Sequence, residues 1–109
     1  MPSIGPEFFQ ITSTVGGREE AEQLAAALVE QRLAACVQII GPMRSVYRWQ
    51  GQVEQADEWL CLIKTTRERY DAVEAAIREL HSYECPEIIA TPIIAGSSAY
   101  LKWIAEQSS

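Results

Sequence analysis

The polar and apolar positions of the chain follow two different periods, and the shorter one dominates its middle. Ser45, Tyr47 and Trp49 alternate with Arg44, Val46 and Arg48; beyond Gln50-Gly51 the chain runs from Val53 through an acidic patch into the apolar stretch Trp59 to Ile63. Alternation of period two on both sides of a glycine, which reaches positive φ without steric cost, predicts a β-hairpin over residues 35–66. With Gln50-Gly51 as its loop, Trp49 faces Gln52 and Arg44 faces Asp57, so that unlike charges meet across the strands. Each arm would reach about 14 residues against the usual 5 or 6, which pushes the far half of the ribbon beyond a small domain. A projecting edge of this kind needs cover from other subunits, and Tyr47, Trp49, Val53 and Trp59 are the candidate oligomerisation residues. The alternative is two shorter hairpins broken near Gly41-Pro42, where proline lacks the donor that a continuous ladder requires.

The flanking segments supply the remaining elements. Residues 7–14 are aromatic and β-branched and predict a first strand ending at Gly16-Gly17. Residues 18–32 predict a helix, with Ala21, Leu24, Ala25 and Leu28 at helical spacing, glutamates in the first turns and Arg32 in the last. A second helix is expected from Thr65-Thr66 to Leu80, with Thr65 and Glu68 at capping-box spacing and a stripe of Tyr70, Val73, Ile77 and Leu80. Residues 81–87 read as a loop, 88–95 as a fourth strand interrupted at Thr91-Pro92, and 99–106 as a short helix capped by Ser97 or Ser98. Residues 1–6 look like an unstructured lead to a single domain over 1–109. The order is that of an α+β, ferredoxin-like βαββαβ unit with an added C-terminal helix. Its two main helices would cover one face of the sheet. The strands nevertheless carry apolar residues at both parities (Phe8 with Phe9, Ile39 with Ile40, Leu60 with Ile63), so the second face also calls for cover.

Composition narrows the function. Among 109 residues, 48% are hydrophobic, and nine Lys+Arg stand against fifteen Asp+Glu for a net charge of -6. That balance argues against a nucleic-acid or anionic-membrane partner. No apolar stretch has the length of a membrane span, and the first residues do not resemble a secretory signal, so a cytoplasmic location is expected. The three cysteines, Cys36, Cys61 and Cys85, form no CxxC pattern and are expected to be reduced thiols. Cys36 and Cys61 sit in strand contexts, whereas Cys85 precedes Pro86 in a loop. With one histidine and no GxSxG, P-loop or GxGxxG pattern, an enzyme is the least supported class.

Leu33-Ala34-Ala35-Cys36-Val37, Tyr47-Arg48-Trp49-Gln50-Gly51, Leu62-Ile63-Lys64-Thr65 and Tyr83-Glu84-Cys85-Pro86-Glu87-Ile88 occur in an order that resembles the CutA divalent-cation tolerance proteins. The resemblance implies a ferredoxin-like subunit in a homotrimer, similar in architecture to the PII signalling proteins, and a link to copper or another divalent cation. The cysteine that the family carries near the end of strand one falls at Ser13, and its paired histidines fall at Leu80-His81. His81, Cys85 and Glu84 remain as candidate metal ligands within one chain. In a ring, Cys36 or Glu87 of a neighbouring subunit could join them, and His81 with a thiolate suits copper. Cys36, Lys64, Tyr83 and Glu87 form a second candidate: an inter-subunit pocket for a small anion or polar metabolite, or an ion pair of Lys64 with Glu87 under Tyr83. Two functions follow, a metal-responsive homotrimer and a trimeric PII-like signalling or adaptor scaffold that binds a protein or metabolite in its clefts.

Overall fold

Gln50 and Gly51 both take positive φ, 51° and 81°, and close β2 (Cys36–Trp49) onto β3 (Gln52–Thr66). Two left-handed residues in a two-residue loop match the right-handed twist of the flanking strands. The expected register holds throughout the distal ribbon, with Trp49 opposite Gln52 and Arg44 opposite Asp57. Arg44 Nε lies 3.0 Å from Asp57 Oδ1, and its Nη1 donates to Gln55 Oε1 at 2.8 Å. These relationships come from a computed structural model that describes residues 7–109. The expectation for residues 1–6 lies outside the described residues. The molecule measures 48 × 26 × 24 Å, and Val46, Tyr47, Trp49 and Val53 are all exposed along the ribbon.

The hairpin does not break at Gly41-Pro42. Ile40 pairs with Leu60 and Met43 with Glu58, so Gly41 and Pro42 together stand opposite Trp59 alone. This is a bulge, and the extra residue reverses the parity of everything beyond it on β2. Cys36, Gln38 and Ile40 therefore share a face with Ser45, Tyr47 and Trp49, and that face also holds Glu58, Leu60 and Leu62 of β3.

The sheet is antiparallel, in the order β2-β3-β1-β4, with β1 (Phe8–Val15) between β3 and the short edge strand β4 (Ile89–Pro92). Two helices, α1 (Arg18–Glu30) and α2 (Tyr70–Leu80), cover one face. Their Ala21, Leu24, Leu28, Val73 and Ile77 meet Ile11, Val15, Cys61 and Ile63 in a single buried cluster. The element order is the ferredoxin-like βαββαβ arrangement, extended by α3 (Ser98–Gln107). Ser97 caps α3, its Oγ accepting from Tyr100 N at 3.2 Å. The opposite face of the sheet carries no main helix. There Leu60 and Leu62 are half-buried, and Ile40 and Ile89 are exposed.

Several boundaries differ from the sequence reading. Thr65 does not start a helix. It is the buried end of β3, donating from Oγ1 to Leu33 O at 2.7 Å, and a 3-10 turn at Arg67–Arg69 precedes α2. A threonine within reach of a carbonyl in the turn between α1 and β2 has a better partner than its own helix. Arg32 does not close α1 either, for it lies beyond the helix at φ 58°. Its guanidinium donates to Ser109 O at 2.7 Å and Glu106 O at 2.6 Å, while Arg69 donates to Ser108 O at 2.7 Å. These two arginines satisfy carbonyls at the end of α3, where the helix leaves them without intrahelical donors. The fourth strand stops at Pro92, short of the expected 88–95; Ile93 N still donates to Phe8 O at 2.9 Å, and there its partner strand β1 begins.

Candidate functional site

α2 carries the chain back across the sheet and delivers the loop after it to the Thr14 end of β1. There the side chain of His81 is fully enclosed. Its Nε2 is 2.7 Å from Thr14 O, and its Nδ1 is 3.0 Å from Tyr83 N. A carbonyl only accepts and an amide N–H only donates, so the neutral ring carries its proton on Nε2 and accepts at Nδ1. Glu20 of α1 lies 3.9 Å from Nδ1 and accepts from Ser82 N at 3.2 Å and from Ser82 Oγ at 3.1 Å. The loop is thus tied to the body at consecutive residues.

Tyr83 is the outcome of that tethering. Its ring lies against the His81 ring with centroids 4.7 Å apart, and its hydroxyl donates to Glu58 Oε2 at 3.0 Å. A Cβ on Gly16 would come within 3.2 Å of the Tyr83 hydroxyl oxygen, so glycine there makes room for the phenol. Burial and the adjacent Glu58 carboxylate push the Tyr83 phenol up to about 12, so it remains a donor at ordinary pH. Glu58 is only 7% exposed, and among the described residues no hydrogen bond reaches its other oxygen.

Between this loop and the root of the hairpin lies a cleft of 710 Å³ on the face of the sheet opposite α1 and α2. Thr14, Ser45 to Tyr47, Trp49, Glu58, Ser82 to Cys85 and Glu87 contribute to its walls. The bulge in β2 brings Tyr47 and Trp49 to the side of the ribbon that carries Glu58. Among the described residues no lysine, arginine or histidine lines the cleft, and the charged groups that do are carboxylates.

The structure sorts the expected site residues into separate places. Glu84, Cys85, Tyr83 and Glu87 share the cleft. His81 lies behind it as a support, with both ring nitrogens occupied, and is neither an exposed loop histidine nor free to ligate a cation. Cys36 and Lys64 face each other at the far end of β2 and β3, with Lys64 Nζ donating to Gln38 Oε1 and Cys36 beside Tyr100 of α3. The pocket joining Cys36 and Lys64 to Tyr83 and Glu87 therefore does not exist within one chain. The sequence reading placed the loop at the end of β3, and the span of α2 takes it to the opposite end. Trp59, expected on an intermolecular surface, packs within its own chain, where it leaves no room for a Cβ on Gly41 and lies 6.0 Å from the Arg18 guanidinium.

The residues present in one chain do not fit a closed metal centre. Among the described residues, no three His, Cys, Asp or Glu side chains come together as a cation would need. The three cysteines are free thiols, with Cys61 buried, Cys36 half-buried and Cys85 exposed at the cleft. Glu58, Thr14 and Gly16 are site residues that the sequence reading missed. For Glu58 the sequence offered only its place at the border between the acidic patch and the apolar run that starts at Trp59.

The fold and the cleft define a ferredoxin-like domain whose second and third strands form an overlong ribbon above a tethered loop. The chain belongs to the CutA1 divalent ion tolerance protein family, whose model matches residues 9–107. It is 45% identical over 95 residues to the divalent-cation tolerance protein CutA of Thermus thermophilus, covering 87% of this chain and 92% of that one. The human protein CutA is 39% identical over 93 residues, covering 85% of this chain but only 52% of its own length. The chain thus spans about half of the plant and animal relatives it matches. Among solved structures, CutA1 of the psychrotrophic bacterium Shewanella sp. SIB1 superposes with a TM-score of 0.93 at 42% identity, over 96% of this chain and 98% of that one. The Thermus thermophilus structure gives 0.92 at 42% identity, over 94% and 99%.

Proposed function

We propose that the protein acts as a homotrimer in divalent-cation tolerance, binding copper or another divalent cation where subunits meet. The observation that carries this reading is the ribbon itself: 14 and 15 residues in its two strands, with Val46, Tyr47, Trp49 and Val53 exposed. An edge so long and so apolar is a poor solvent surface and a good intersubunit one. The exposed Ile40 and Ile89 and the half-buried Leu60 and Leu62 on the face opposite α1 and α2 support the same reading. Each chain then brings an incomplete donor set to a neighbour, Glu84 and Cys85 at the mouth of the cleft. A thiolate with carboxylates suits copper or zinc better than magnesium. Relatives that bear the name divalent-cation tolerance protein support the cation. Among the described residues no helix is long and apolar enough to cross a membrane; the three free thiols favour a reducing compartment, for which we propose the cytoplasm.

Sedimentation equilibrium combined with calorimetric titration of Cu(II) and Zn(II) tests both parts. A mass of three chains and a saturable site weakened in Cys85→Ser is the expected result. A monomer, or binding that ignores Cys85 and Glu84, would remove the reading.

A further inference from the structure

The His81 side chain is enclosed by its own chain, so its partners are the same however copies of the chain assemble. Three elements face the ring. β1 presents Thr14 O to Nε2 at 2.7 Å, the loop after α2 presents Tyr83 N to Nδ1 at 3.0 Å, and α1 sets the Glu20 carboxylate 3.9 Å from the same Nδ1. The pairing at Nδ1 with Tyr83 N fits only the neutral ring, whereas Glu20 fits the charged one. A proton added at Nδ1 would point at the Tyr83 N–H, donor against donor, with a carboxylate one short movement away.

Glu20 is also the second tether of the loop, accepting from Ser82 N at 3.2 Å and Ser82 Oγ at 3.1 Å. Pairing with His81 would therefore loosen Ser82 while protonation displaces Tyr83. A cavity of 40 Å³ bordered by Glu20, Gln23 and His81 is large enough for a water molecule and leaves the two side chains room to approach. On β3, Glu58 accepts the Tyr83 hydroxyl, and Cys61 lies in the field of Glu20. Burial and Glu58 push the Tyr83 phenol up to about 12, and burial followed by the Glu20 charge pushes the Cys61 thiol up to about 11. Both stay protonated between about pH 5 and pH 8, the range in which imidazole ordinarily changes charge.

We propose that His81 is a proton-operated latch on residues 81–87: the neutral ring holds Tyr83 N, and the charged ring turns to Glu20 and releases Tyr83 together with its link to Glu58. The closed loop binds one proton fewer than the released one, so acid favours release, by up to about tenfold in their ratio for each unit of pH. The inference goes beyond the cation reading and does not rest on it. None of the latch atoms belongs to Glu84 or Cys85.

Nitrogen-15 NMR of the full, metal-free chain from pH 8 to pH 5 tests it. The imidazole nitrogens report the charge of the ring, and the Tyr83 amide reports its bond to Nδ1. The two should change together with one midpoint, and protection of the Tyr83 amide from exchange, corrected for its intrinsic rate, should fall by up to about tenfold per unit of pH below it. Glu20→Gln keeps an acceptor for Ser82 and should lower the midpoint by about one pH unit. His81→Gln keeps a donor and an acceptor but cannot titrate, and its Tyr83 amide should stay unchanged throughout. Circular dichroism checks the fold of each variant; should His81→Gln fail to fold, the parent and Glu20→Gln decide the matter. An imidazole that titrates while the Tyr83 amide stays still, a ring still neutral at pH 5, an unmoved midpoint in Glu20→Gln, the parent's transition persisting in His81→Gln, or a sedimenting mass that changes with the amide overturns the latch. With no Cu(II) or Zn(II) present, the outcome is independent of the calorimetric titrations with those ions.

Discussion

The Tyr83 hydroxyl donates to Glu58 across a sequence separation of 25 residues, and this one bond joins the loop after α2 to the root of the hairpin. Removing the hydroxyl leaves a carboxylate, 7% exposed, without its described donor. Tyr83→Phe should therefore destabilise the fold by about 1 kcal/mol, measured as a shift in the urea midpoint at constant slope. An unchanged midpoint would mean that solvent replaces the phenol at no cost.

Alkaline pH should act on the same contact. Tyr83 is raised from 10.0 to about 12, and burial raises the Cys61 thiol from 9.0 to about 11. Each folded-state value lies above the unfolded one, so the folded chain retains a proton that the unfolded chain gives up. Their contribution is complete below pH 9 and is lost as pH rises through 11 and 12. The melting temperature should fall between pH 9 and pH 11, and less steeply in a Tyr83→Phe, Cys61→Ala double variant, which calorimetry can resolve.

Gly41 is the tightest point of the bulge. A Cβ there would approach Trp59 Cε3 at 2.4 Å, below any real contact distance. Gly41→Ala should cost about 1 to 3 kcal/mol, as overpacking does, and should change tryptophan fluorescence as the ring moves. Parent-like stability and emission would show that the ring has another place to go.

Ser13 gives the opposite sign. Its hydroxyl is fully buried and has no partner, opposite Cys61 in the core. Ser13→Ala removes an unsatisfied polar group and should be neutral or stabilising by about 1 kcal/mol in chemical denaturation. A clear loss of stability would reveal a partner for that hydroxyl.

The three thiols should separate kinetically. Cys85 is exposed, Cys36 half-buried, and Cys61 buried with its thiol pushed up to about 11. Since the thiolate is the reacting species, a disulfide reagent at pH 8 should modify Cys85 first and Cys61 only on unfolding. Equal rates would contradict the packing of β3 against the helices.

The distal ribbon was legible because its register rests on local signals: a glycine turn, alternation and the pairing of Arg44 with Asp57. The helix interiors were legible for the same reason, since Val73 and Ile77 sit where their period puts them. The site was only half legible. Composition around residues 83–87 marked a loop of interest, but its destination depended on how far α2 carries the chain, and no local pattern encodes that. His81 shows the cost. A lone histidine before a Pro-Glu loop suggests a ligand, whereas long-range partners, Thr14 O and Tyr83 N, occupy both its nitrogens. Thr65 was misread for a similar reason, because its capping-box spacing was local and its actual acceptor, Leu33 O, is not.

The slip at Gly41-Pro42 makes the ribbon a two-part device with an adjustable joint. Because the pair faces Trp59 alone, removing either residue would leave Met43 opposite Glu58, and Tyr47 and Trp49 would keep their side of the ribbon. Straightening the bulge with both residues kept is what would slip the pairing by one and turn Met43 to Trp49 to the reverse side, with Val46 and Arg48 replacing Tyr47 and Trp49. The kink is thus a spacer that absorbs a surplus residue, and the groups above Glu58 depend on its staying unpaired.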